Sequence, residues 1–197
     1  MRPLHEKRGI ATGLLLAYLA LGVSSSAFAV KVDEPAPQFS ARDLEGGKFD
    51  LAEMGGTIFL LFFMSPHNPY CVSLAPDLER AIWKEYSWHN FQLLGINVGP
   101  PQITDLEAFR NATGVTFPLI PAGQSIGDEF GMGVNSFAVV DGRGIVRYVS
   151  VGVGSQAYDE TALKQAVSDA LEGVVPPKEA TWGRIKTLFE ATRNPNF

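Results

Sequence analysis

Residues 57–76 read TIFLLFFMSPHNPYCVSLAP, and this stretch decides the fold. Thr57 to Met64 is an unbroken apolar run, the pattern of a strand buried on both faces. Behind it, Leu74, Leu78, Ala81 and Ile82 recur at spacings of three and four. That spacing gives a helix from Pro69 to about Tyr86 with one buried stripe. The turn between strand and helix holds the only cysteine, Cys71. It also holds Asn68 and Pro69. Asparagine is a strong N-cap, because its side-chain oxygen accepts from free amides of the first turn. Proline is favoured directly after the cap, where no amide is needed. Asn68 is therefore expected to cap the helix and Cys71 to occupy its first turn.

Further along, Phe91–Val98 (FQLLGINV) reads as a second buried strand. Thr104–Thr113 reads as a helix stopped by Gly114. Ser136–Val140 and Ile145–Val151 read as strands joined by the turn Asp141-Gly142-Arg143-Gly144. Thr161–Leu171 is a further helix, and Val30–Gly56 a lead-in with short strands. The order β-α-β-α-β-β-α implies an α/β domain with a parallel core and an antiparallel edge, a central mixed sheet flanked by helices.

The chain starts with Arg2, Lys7 and Arg8, continues with an apolar run from Ile10 to Val23, and then reaches Ala27-Phe28-Ala29. A basic start, a short apolar run and a small-x-small end make a signal peptide over residues 1–29, cut after Ala29. The run is shorter than the roughly 20 residues a membrane span needs. A membrane role is expected only if the leader stays uncleaved. The domain is expected over residues 30–173. A tail over 174–197 carries Trp182, Ile185 and Phe189 at helical spacing. Removing a leader with three basic residues and one acid takes the net charge from −5 to −7. An acidic domain without basic runs excludes nucleic acid as a partner. The export signal places the chain in the periplasm, where disulfides persist, yet one cysteine cannot form a disulfide within its own chain.

Several segments together resemble the thioredoxin fold, and within it the exported TlpA/ResA group of the AhpC/TSA redoxin superfamily. They are APQFSARDLEGGKFDLAEMGG (36–56), Cys71 followed by Pro76, LLGINVG (93–99), FRNATGVTFPLI (109–120) and NSFAVVDGRGIVRYVSVG (135–152). The resemblance implies a thioredoxin-like fold and thiol-disulfide or peroxide chemistry. It also exposes departures. The family reads Trp-Cys-x-x-Cys at the start of the helix. Here Cys71 falls on the second cysteine and Asn68 on the first. The family's cis-proline, counted back from Phe137, falls on Val134, and its glutamate after the second core strand is missing where INVG runs into Pro100.

Cys71 and Asn68 are therefore the catalytic candidates, with His67, Pro69, Tyr70 and Val134 as the surrounding groove. The cycle of a dithiol enzyme needs a second thiol to release the mixed disulfide. At most, single-thiol chemistry through Cys71 is expected, resolved by a periplasmic protein or a small thiol reductant. Two other readings stand beside it: a non-catalytic binding module using the old groove, and a one-cysteine peroxidase. In the peroxidase overlay Asn68 replaces a threonine and Val134 an arginine. A helix N-terminus favours a thiolate, while burial opposes it; the sequence leaves that balance open.

His67 and Cys71 lie four apart, a spacing two metal ligands can use, but His67 precedes the cap and reads as a rim residue. No metal or other cofactor is expected. Gly123-Gln124-Ser125-Ile126-Gly127 matches G-x-S-x-G, but every histidine precedes it, so it reads as a loop entering a short helix. Arg147 reads as a solvated residue on the last strand.

Overall fold

The computed structural model describes residues 29–152 and 158–174. The leader up to residue 28 and the tail helix expected around Trp182 lie outside the described residues. Two short strands, β1 (Ser40–Arg42) and β2 (Lys48–Asp50), pair antiparallel ahead of the main sheet. The main sheet holds β3 (Ile58–Met64), β4 (Phe91–Asn97), β5 (Leu119–Ile120), β6 (Ser136–Val140) and β7 (Val146–Ser150), in the order β5-β4-β3-β6-β7. β3, β4 and β5 run parallel, while β6 and β7 run antiparallel to their neighbours.

Every residue of β3 is buried, which accounts for the unbroken apolar run. Its side chains alternate between two cores. Ile58, Leu60, Phe62 and Met64 face one core, and Phe59, Leu61 and Phe63 the other. The first core is covered by α1 (Pro69–Leu78), by α3 (Ile103–Thr113) through Leu106 and Phe109, and by α5 (Glu160–Val174) through Leu163, Val167 and Ala170. The second is covered by α4 (Gln124–Phe130) and by Phe39, Phe49 and Leu51 of the lead-in. No helix among the described residues is long and apolar enough to cross a membrane.

The helix expected from Pro69 to Tyr86 changes winding midway. Residues Glu79–Trp83 form a π-helical segment before α2 (Lys84–Tyr86). Pro76 lies inside α1 and Glu79 is buried. The Glu79 carboxylate accepts from the Thr116 amide (2.8 Å) and hydroxyl (2.7 Å). Trp83 Nε1 donates to the same hydroxyl at 3.0 Å. A buried carboxylate is thereby satisfied, as its burial requires. α3 ends where the sequence placed its stop, with Gly114 in the left-handed region at φ 70°. The G-x-S-x-G stretch forms the start of α4, with Gly123 as its N-cap.

Arg147 is not a freely solvated residue. Its Nε donates to Asp141 at 2.9 Å, and its guanidinium also pairs with Asp33. Asp141 opens the β6–β7 turn and is buried, and its carboxylate also accepts from the amides of Arg143 (2.9 Å) and Ile145 (3.0 Å). The turn residue is thus a buried anchor joining the lead-in to β7 through Arg147, with the Arg143 guanidinium pairing to the same carboxylate at 3.0 Å.

Candidate functional site

The site forms where β3 ends and α1 begins. Asn68 has extended backbone (φ −79°, ψ 117°). Its Oδ1 accepts from the amides of Tyr70 (2.9 Å) and Cys71 (3.2 Å), and Pro69 opens the helix. Cys71 lies one turn in, fully buried among the residues of the first core, which include Phe62, Met64, Leu74 and Phe137. Its Sγ donates to Asn135 Oδ1 at 2.9 Å. Burial pushes the Cys71 thiol above its ordinary value, and backbone hydrogen bonds from Ser65, Asn135 and Cys71 itself offset that only in part. The balance the sequence left open falls to burial: this is a neutral thiol holding a hydrogen bond.

The residue facing Cys71 ahead of β6 is Asn135, one position later than the count from Phe137 places it. Its amide donates to Phe63 O at 2.8 Å, which fixes its register beside β3. Its φ is 67°, in the left-handed region that asparagine tolerates better than most residues. Gly152 backs it closely, since a Cβ there would lie 2.2 Å from Asn135 O. Val134 is half-buried and packs against the first core instead. It lines an open groove with Val98, Gln124, Asp128 and Met132, floored by glycines that include Gly127 and Gly133.

His67 is exposed, and its Nε2 sits 2.8 Å from Asp105 Oδ2 on α3. It lines a separate small pocket with Ser65, Asn97, Pro100 and Asp105. Asn97 is buried there, and its Nδ2 donates to Pro100 O (2.9 Å) and Pro121 O (3.2 Å). His67 and Cys71 therefore have different partners, and the described residues hold no group of three or more potential metal ligands. Pro69 is exposed on the rim. Tyr70 is half-buried, and burial raises its hydroxyl above the usual tyrosine value, which a hydrogen bond from the Tyr158 backbone partly offsets. Tyr158 packs its ring on Phe137 at 6.0 Å. The predicted groove residues thus divide. Tyr70 stays near the thiol, while His67 and Val134 line two different pockets.

Asn135 and Asp105 were not singled out from the sequence. Asn135 could have been found as the residue directly ahead of β6 that tolerates positive φ. Nothing local marks Asp105, which meets His67 across 38 residues.

Comparison with known proteins agrees with this architecture. The model of the AhpC/TSA family matches residues 32–149. Thiol-disulfide oxidoreductase ResA of Geobacillus thermodenitrificans is 28% identical over 170 residues, which is 83% of this chain and 91% of that protein. Soluble secreted antigen MPT53 of Mycobacterium tuberculosis is 35% identical over 72 residues, covering 36% of this chain and 41% of that protein. The crystal structure of a thiol:disulfide interchange protein of the thioredoxin family from Chlorobium tepidum aligns with a TM-score of 0.60 at 25% identity. That alignment covers 73% of this chain and 99% of the other.

Proposed function

The chain belongs to the AhpC/TSA family, among relatives of the thiol-disulfide oxidoreductase type, and from that premise we propose that it is an exported redoxin that works without dithiol exchange. One observation carries this reading: Cys71 is buried, neutral and donating to Asn135 Oδ1 at 2.9 Å. Asn68, three residues earlier, serves as a helix cap rather than as a second thiol. Exchange begins with a thiolate attacking a disulfide sulfur, and a covered neutral thiol is poor at that step.

The surface offered for function is the groove ahead of β6, where Val98, Met132 and Val134 offer apolar contact and Asp128 a charge. In this reading the protein binds a segment of another exported protein there and does not oxidise or reduce it. Export is supported by the basic-apolar-small leader and by likeness to a protein described as a secreted antigen. The same leader supports a periplasmic location.

Single-thiol chemistry, including peroxide reduction, is the second reading. It draws support from the backbone amides gathered around the sulfur, which would stabilise a thiolate once the site opened. Assays of insulin reduction and of peroxide consumption, each with dithiothreitol as electron donor, separate the two. Under the binding-module reading, the native protein is no faster than Cys71→Ser. A clear rate that disappears in Cys71→Ser would establish the thiol as the working group.

A further inference from the structure

We propose that the Ala29–Val30 peptide bond is where the exported chain is cut, and that the ammonium group released at Val30 docks on the carbonyl end of α4 as a fixed part of the fold. The proposal rests on the export reading above and goes beyond it. The small-x-small sequence Ala27-Phe28-Ala29 marks this bond chemically, and the structure gives the nitrogen behind it a fixed acceptor. Ala29 is exposed, whereas Val30 is half-buried and packs against the second core. The Val30 nitrogen donates to Phe130 O at 3.1 Å.

The acceptor is a carbonyl at a helix end. Gly131 closes α4 in the left-handed region at φ 63°. Its amide donates to Asp128 O at 3.2 Å, and the Met132 amide to Gly127 O at 2.8 Å, a Schellman-type end. Phe130 O lies beyond those bonds and is taken by Val30. Terminal carbonyls of a helix require such partners, and the carbonyl end of a helix favours positive charge. Asp128 and Glu129 stand in the same last turn. Hydrolysis adds one water across the amide. Ala29 leaves with the leader as a carboxylate, and the Val30 amine takes up a proton. One N–H donor becomes three, with a positive charge where negative partial charge collects.

The anchor also bears on the site. α4 runs through Gly131–Val134 into Asn135, so a fixed Val30 braces the segment that presents Asn135 to Cys71.

The test has two parts. The protein is recovered from the periplasm of an expressing cell, and its N-terminus is read by intact mass. Then chains beginning at Val30, at N-acetylated Val30 and at Lys31 are melted side by side. The proposal expects a mature chain that starts at Val30. It expects the Lys31 chain to melt about 2–5 °C lower, and the acetylated chain about 1–3 °C lower, because the charge is lost while the N–H stays. A protein that keeps its leader overturns the export reading and the cut together. An exported protein cut elsewhere overturns the cut alone. A Val30 terminus with all three chains melting alike overturns the docking alone.

Discussion

Cys71 Sγ and Asn135 Oδ1 lie 2.9 Å apart across the junction of α1 and β6, with the thiol donating. This side-chain pair ties the start of α1 to the residue directly ahead of β6. It couples a residue one turn into a helix to one held at φ 67° against β3. Burial keeps the thiol neutral, and the bond from the Asn135 amide to Phe63 O holds Asn135 in its uncommon backbone conformation.

Substituting Asn135 separates its backbone conformation from its role as acceptor. Asn135→Gly keeps the backbone conformation without strain and removes the acceptor, so it should cost less than Asn135→Val. The valine variant adds a branched side chain at positive φ, worth about 1–3 kcal/mol of strain. Urea midpoints order the two variants, and a valine variant as stable as the glycine variant would contradict the backbone argument.

Asn68 is a cap that can be turned into a thiol. Asn68→Ala should lose about 1 kcal/mol through the freed amides of Tyr70 and Cys71. Asn68→Cys places two cysteines in the C-x-x-C spacing at a helix N-terminus, where the first thiol is activated. That variant should show no free thiols after oxidation and should gain insulin-reducing activity that the parent lacks. Retention of both free thiols under oxidant would mean that the α1 N-terminus cannot bring them together.

Asp141 sets an acid limit. Burial alone would raise its carboxyl, but hydrogen bonds from the Ile145 amide, Arg147 and Arg143 hold it below the ordinary 3.8. A carboxyl depressed in the folded state stabilises the fold above its unfolded value, and that contribution fades as pH falls through the folded value. Wild type should therefore lose stability faster than Asp141→Asn as pH falls below the ordinary carboxylate value. Near neutral pH, Asp141→Ala should cost about 1–3 kcal/mol, because the amides of Arg143 and Ile145 lose their acceptor. Parallel acid titrations of the two unfolding midpoints would speak against this anchor.

The brace at the π-helical segment gives a further structural test. Thr116→Val deprives Trp83 Nε1 of its acceptor and Glu79 of its hydroxyl donor. It should destabilise by about 1–3 kcal/mol and shift the emission of Trp83. An unchanged urea midpoint would leave the brace without energetic weight.

Much of this architecture is legible in the sequence because it is locally determined. An apolar run buried on both faces marks β3, Asn68-Pro69 marks the start of α1, and Gly114 marks the end of α3. The remaining features depend on register between distant segments. The site residue ahead of β6 is fixed by the bond from the Asn135 amide to Phe63, 72 positions earlier in the chain, and a one-residue slip in counting turns Asn135 into Val134. Arg147 reads as a surface residue until Asp141 is seen to be buried beneath it. Glu79 meets Thr116 only when the sheet brings α1 and the β5 approach together. β5, two residues long between Pro118 and Pro121, has too little pattern of its own to announce a strand.

The most direct test of the account is the alkylation rate of Cys71 against pH in the native protein, with the denatured chain as reference. The account predicts slow labelling across neutral pH, with an apparent pKa above the free-thiol value of about 8.5, and full labelling on unfolding. Fast labelling of the native protein with an apparent pKa below that value would contradict it, and would make Cys71 an accessible, activated nucleophile.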